Sequence, residues 1–137
     1  MKVLITGGAG YLGTVLTEEI LNRFPYAKVI VYDNLMYKQD GLFSFFKYPK
    51  DRFEFVYGDV RDKNSLLEQL QKLDKNNDYV IPLAAIVGFP ACARDEKLAT
   101  AVNFEHVKYI VQSTKCRIIY PNTNSGYGVS DGEAHCT

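Results

Sequence analysis

The chain has 137 residues, 47% of them hydrophobic and 23% charged, which suits one globular domain with a core of its own and leaves too little for two. Sixteen Lys plus Arg balance sixteen Asp plus Glu, so there is no broad field to attract nucleic acid or an anionic membrane surface. Cys92, Cys116 and Cys136 are scattered without a C-x-x-C spacing, and the N-terminal apolar run is too short for a signal peptide or a spanning helix; neither a disulfide framework nor a metal site is expected, and a reducing cytoplasm is the expected compartment.

Val3-Leu4-Ile5 followed by Thr6-Gly7-Gly8-Ala9-Gly10-Tyr11-Leu12-Gly13 reads as a strand, a glycine turn and a helix start. A helix N-terminus offers unpaired N–H groups and the positive end of its dipole, which suits the diphosphate of a dinucleotide. A Cβ in the turn would block close approach of backbone to phosphate, so Gly7, Gly10, Tyr11, Leu12 and Gly13 are the expected contacts. Leu12, Val15, Leu16, Ile20 and Phe24 then recur at helical spacing, and Pro25 stops the helix. Lys28-Val29-Ile30-Val31-Tyr32-Asp33 is an apolar run ending in a carboxylate, as a buried parallel strand would be. An acid about 20 residues beyond the glycines is where a dinucleotide fold binds the adenosine ribose. Asp33 would accept hydrogen bonds from the ribose hydroxyls and repel a 2′-phosphate, favouring NAD over NADP; the plain alternative is a carboxylate that ends a strand.

Residues 34 to 51 carry many aromatics without clean periodicity, predicting a folded excursion with a short helix near 40 to 47 that serves as satellite core. A third strand over 52 to 57 leads into Gly58-Asp59-Val60-Arg61-Asp62, with Asp62 capping a helix from Ser65 to Leu73 whose buried stripe is Leu66, Leu67, Leu70 and Leu73. Asp59 would sit beside the adenine and accept its exocyclic amine proton, with Asn34 and Val60 at the same end of the cofactor. A fourth strand, Tyr79 to Leu83, runs into small residues that let a cofactor lie against backbone, making Leu83, Ala84 and Ala85 further contacts. A helix over 95 to 113 follows, with Leu98, Ala101, Val102 and Tyr109 on one stripe and Asn103 off it, either toward the cleft or simply on the surface. A fifth strand, Arg117 to Tyr120, ends in the polar cluster Thr123-Asn124-Ser125-Gly126-Tyr127-Gly128.

Together, TGGAGYLG at 6 to 13, Asp33, GDVRD at 58 to 62, LAA at 83 to 85, Asn103 and TNSGYG at 123 to 128 resemble the extended short-chain dehydrogenase/reductase family, which includes NAD-dependent sugar-nucleotide epimerases and dehydratases. The resemblance implies a Rossmann-type doubly wound α/β fold with strand order 3-2-1-4-5, bound NAD, and oxidation of a ring hydroxyl, at C4, of a nucleotide-sugar. More narrowly, IPLAAIVG at 81 to 88 and YPNTNSGYG at 120 to 128 look like a subgroup that oxidises nucleotide-activated heptoses for bacterial surface polysaccharides. The family's strand-five signature puts its catalytic hydroxyl at Thr123, and Asn103 near the nicotinamide end. The family's base is the tyrosine of a Tyr-x-x-x-Lys pair, yet none of the ten tyrosines here has a lysine four residues on. The chain therefore reads as an N-terminal NAD-binding fragment, incomplete over 1 to 137, that stops before the catalytic helix and the substrate domain and is inactive alone; the full-length form is expected to be a homodimer. Asn124 and Ser125 replace the acid that dehydratases carry, favouring oxidation or epimerisation over dehydration. The alternative is a non-catalytic dinucleotide-binding or sensing module of the same fold.

Overall fold

The apolar runs become strands, and period-two alternation within them sorts side chains between two helical layers. In a computed structural model, which describes residues 1–122, β1 (Lys2–Thr6), β2 (Lys28–Asp33), β3 (Phe53–Tyr57), β4 (Tyr79–Pro82) and β5 (Arg117–Ile118) pair in parallel in the order β3-β2-β1-β4-β5. Val3 lies between Val29 and Tyr79, and Ile5 between Val31 and Ile81. Val3, Ile5, Val29, Val31 and Ile81 point into one core with Ile20 and Leu21 of α1 (Tyr11–Arg23), while Leu4, Ile30, Tyr32 and Val80 fill the other with Leu66 and Leu70 of α2 (Lys63–Gln71). A strand covered on both faces needs no polar side, which is why β1 and β2 read as unbroken apolar runs.

The helices hold several departures from the expected stripes. In α1 the buried residues are Gly13, Thr17, Ile20 and Leu21, whereas Leu12, Val15 and Phe24 are exposed. The start of the helix lies so close to the glycine turn that a Cβ on Gly13 would sit 2.5 Å from the Gly8 Cα, so Gly13 takes the inner face there while Leu12 and Val15 turn out, and large residues, Ile20 and Leu21, enter the core only further along. The helix ends at Arg23 because Phe24, before Pro25, adopts φ −120° and ψ 88°. Arg52 then binds the carbonyls of Leu21, Phe24 and Ala27, tying the end of α1 to the start of β3. Asp62 caps α2 as expected, accepting from the Asn64 and Ser65 N–H groups.

The aromatic excursion contains a 3₁₀ turn, Gly41–Phe45, and it is not a satellite: Leu42 and Phe45 are buried in the α1-side core, and Phe53 meets Phe45 in a tilted contact and Phe46 edge to face. The single helix expected over 95 to 113 is a composite. A short α3 (Phe89–Arg94) precedes α4 (Glu96–Thr100), a π-helical turn (Ala101–Glu105) and α5 (His106–Ser113). Its buried positions are Ala99, Val102, His106 and Ile110, so of the expected stripe Val102 is buried as predicted while Leu98, Ala101 and Tyr109 are only partly so. No helix among the described residues is long and apolar enough to cross a membrane.

Candidate functional site

The sheet's strand order reverses at β1, whose neighbours β2 and β4 carry the chain away in opposite directions, and this is where an open α/β sheet forms a ligand crevice. A cavity of about 970 Å³ opens there, beyond the carboxyl ends of β1, β2 and β4. Gly7, Gly10, Tyr11, Leu12, Gly13, Asp33, Asn34, Asp59, Val60, Leu83, Ala84, Ala85 and Asn103 all line it. Thr123, with the polar cluster that follows it, lies outside the described residues, and so does Cys136.

The glycines of the turn divide by role, and only part of the phosphate argument carries over to them. Gly7 has φ +70°, and a Cβ there would lie 2.4 Å from the Ala84 N, so its job is to let β1 and the β4 exit meet backbone to backbone. Gly8 is pressed against Val31 and Gly13 against Gly8. Gly10 alone among them has room for a Cβ, which would lie no closer than 3.4 Å to its nearest neighbour, the Gly7 carbonyl oxygen. It is the N-cap of α1 at φ −68° and ψ 172°, and no side chain caps that helix. The N-terminal N–H groups of a thirteen-residue helix are therefore left for whatever occupies the cavity. By contrast, α2, which starts at the same edge of the sheet, is closed by its own Asp62.

Asp33 ends β2 with its carboxylate divided between two loops. One oxygen accepts from the Ala9 N–H at 3.0 Å and the other from the Leu35 N–H at 2.7 Å. Each oxygen keeps a second lone pair, so the group can both hold the turn and accept from a ligand hydroxyl. Asp59 is engaged more heavily. Arg61 reaches it with Nε at 2.9 Å and Nη2 at 2.6 Å, and the Arg61 backbone and Asn34 side-chain nitrogens add further contacts. Hydrogen bonding to Arg61 holds the Asp59 carboxyl well below the usual range, at about 2. Gly58 is required because a Cβ would strike the ring of Tyr32, whose hydroxyl lies 3.0 Å from the Asp59 carbonyl oxygen. Burial pushes the Tyr32 phenol up.

At the opposite end, the π turn delivers Asn103 to the crevice. Its Nδ2 donates to the Ile86 carbonyl at 3.0 Å and its Oδ1 accepts from the Ile86 N–H at 2.7 Å, the two-way pairing of a strand neighbour. Cys92 Sγ adds a contact to the Ile86 carbonyl at 3.3 Å. An irregular turn inside a long helix commonly marks such a site, and it has no signature in apolar spacing. The buried pair His106 and Thr6, 3.0 Å apart beneath the turn, was equally invisible to motif reading. Among the described residues no group of His, Cys, Asp and Glu is placed to hold a metal ion.

The sequence model of the NAD dependent epimerase/dehydratase family matches residues 3–136. The chain belongs to that family. Within it, the chain is 31% identical to CDP-paratose 2-epimerase of Salmonella typhi over 133 residues, 93% of this chain and 38% of that one. It is 32% identical to dTDP-D-glucose 4,6-dehydratase of Dictyostelium discoideum over 133 residues, covering 93% of this chain and 30% of the relative. The fold superposes on UDP-glucose 4-epimerase of Thermus thermophilus, solved as a complex with NAD, with a TM-score of 0.65 and 27% identity over 82% of this chain and 33% of that one. The chain thus spans about a third of the length of the curated relatives it matches. The family is the extended short-chain dehydrogenase/reductase group, and its Rossmann order is the one the sheet shows.

Proposed function

We propose that this chain is the NAD-binding portion of a sugar-nucleotide oxidoreductase or epimerase, with residues 1 to 137 as one dinucleotide-binding domain. The observation that carries the reading is the meeting, on one cavity, of the uncapped N-terminus of α1 at Gly10 and the Asp33 carboxylate at the end of β2. The donor set fits the group: N–H donors for a diphosphate, an acceptor carboxylate for ribose hydroxyls, and small residues at Ala84 and Ala85 where backbone can approach a ring. In this reading the diphosphate lies at Gly10 to Gly13, the adenosine between Asp33 and Asp59-Val60, and the nicotinamide end near Asn103. Bound NAD supplies the hydride acceptor for a ring hydroxyl at C4. Asp33 orients the ribose and disfavours a 2′-phosphate by charge, while Asn103 holds the loop at Ile86 that forms the cavity's far wall.

Thr123 is proposed as the hydroxyl that bonds the reacting sugar oxygen. The sequence IPLAAIVG at 81 to 88 supports a nucleotide-activated heptose as substrate. Without a Tyr-x-x-x-Lys pair, the 137-residue chain binds NAD and does not turn it over. Calorimetric titration of NAD and NADP into the chain tests the reading: NAD binds and NADP binds more weakly. An absence of NAD binding overturns it.

A further inference from the structure

Three pieces of chain meet at the end of the cavity that Asn103 lines: the glycine turn behind β1, the exit of β4 over residues 82 to 88, and the π turn that carries Val102 and Asn103. The first two are joined by backbone, the Leu83 N–H donating to the Thr6 carbonyl at 2.8 Å, and the last two by the Asn103 clasp on Ile86. The joint between the end of β1 and the π turn is made by the side chain of His106. Its imidazole is 2% exposed, with Nε2 3.0 Å from the Thr6 hydroxyl and Nδ1 3.0 Å from the Val102 carbonyl. The second of these contacts falls on the irregularity itself. In an α-helix the Val102 carbonyl would accept from the His106 backbone N–H, four residues on. Here that N–H goes to the Ala101 carbonyl, five residues back, and the imidazole of the same residue takes the Val102 carbonyl. A bonding ring at position 106 therefore favours the π register, in which Asn103 reaches Ile86.

We infer that His106 is a positioning residue for the nicotinamide half of the dinucleotide site: by bonding Thr6 and Val102 at once, it holds the π turn in register against the end of β1, so that Asn103 keeps the Ile86 wall in place. The inference rests on the proposed dinucleotide reading of the cavity. His106 and Thr6 lie beneath the cavity and do not line it, so the ring acts through Val102 and Asn103, which do. A neutral imidazole suits the place because it offers one donor and one acceptor. An apolar side chain of similar size would fill the space and leave the buried Thr6 hydroxyl without this partner. The adenosine end is tied by other bonds, from the Ala9 and Leu35 N–H groups to Asp33, and is independent of the ring.

The experiment uses the full 137-residue chain with His106→Leu, which fills the space without bonding, and His106→Gln, which can bond both neighbours, each checked for folding by thermal melt. NAD and ADP are titrated by calorimetry, since ADP carries the adenosine and diphosphate without the nicotinamide riboside. His106→Leu should weaken NAD about fivefold or more and ADP by less than about twofold, and His106→Gln should return NAD to within about twofold of the unsubstituted chain. Equal losses for the two ligands, or unchanged NAD affinity in folded His106→Leu, overturn the inference. Where His106→Leu fails to fold, Thr6→Val opens the same joint from the other side and is read in the same way, with Thr6→Ser as its conservative control. Hydrogen exchange without ligand supplies a second readout: the Ile86 amide should exchange about tenfold faster in His106→Leu while the Val29 and Val31 amides of β2 keep their rates. An unchanged Ile86 rate also overturns the inference. Failure of both NAD and ADP to bind the unsubstituted chain removes the dinucleotide reading, and the Ile86 rate then decides by itself whether His106 holds the wall.

Discussion

His106 Nε2 lies 3.0 Å from the Thr6 hydroxyl, joining the last residue of β1 to the first residue of α5 across 100 positions of sequence. The other ring nitrogen, Nδ1, lies 3.0 Å from the Val102 carbonyl, which can only accept, so the proton is assigned to Nδ1 and Nε2 accepts from Thr6. The neutral ring is thus matched to both neighbours, and burial pushes His106 below its ordinary value of 6.5. As pH falls, the unfolded chain takes up this proton before the folded one does. The contribution is fully present above the unfolded value and is lost as pH falls through it toward the folded value. Chemical denaturation at pH 7.5 and 5.5 is expected to show lower stability at the acid end, with a smaller difference in His106→Gln, which can bond the same neighbours without titrating.

Substitutions at two glycines of the same turn should separate fold from ligand. Gly7→Ala meets the Ala84 backbone at a positive φ and should lose about 2–4 kcal/mol in denaturant unfolding. Gly10→Ser adds a Cβ at ordinary contact distance from the Gly7 carbonyl oxygen, 3.4 Å, and a capping hydroxyl at dihedrals that suit it, so stability should change by less than about 1 kcal/mol. The same hydroxyl competes for the N–H groups of α1, so NAD affinity should fall. A Gly10→Ser chain that binds NAD unchanged would place the diphosphate elsewhere.

For Asp33→Ala, two effects are expected together. The buried Ala9 N–H loses its acceptor, costing about 1–3 kcal/mol of stability. Calorimetry should also show weaker NAD binding and relaxed discrimination against NADP. Unchanged affinities for both would remove Asp33 from the site.

Asn103→Ala cuts both hydrogen bonds to Ile86. Hydrogen exchange at the Ile86 amide should accelerate while the β1 amides keep their protection, because the bond lost is local to the β4 exit. NAD affinity should fall through disorder of that wall rather than through loss of a direct contact.

Thr17 is fully buried on α1 and its hydroxyl has no partner among the described residues. Thr17→Val keeps the shape and removes the unsatisfied group, and should raise stability by about 1 kcal/mol in denaturant unfolding. A loss of stability would show that the hydroxyl is satisfied in solution.

Much of this architecture was legible in the chain. β2 matches its predicted bounds because Lys28 and Asp33 bracket an unbroken apolar run, and Pro25 and Asp62 mark helix boundaries by local backbone chemistry. The α1 face was misread because Leu12, Val15 and Phe24 satisfy helical periodicity, while close approach to the glycine turn admits only Gly13 on the inner side at the start of the helix. Periodicity registers apolarity and is blind to the room available.

By itself, the sequence determined the strand set, the glycine turn, and the placing of Asp33 at the end of β2, Asp59 just beyond β3 and Asn103 in the long helical segment, positions that a parallel sheet brings to one edge. Those follow from short-range rules of alternation, capping and turn geometry. Only the tertiary structure decided what each group is bonded to: Asp59 held by Arg61 and Asn34, Asn103 clasping Ile86 from a π turn, His106 matched to Thr6. Hydrogen bonds form with whichever partners folding brings within about 3 Å, and Asn34, Asn103 and His106 reach theirs from elements far apart in the chain.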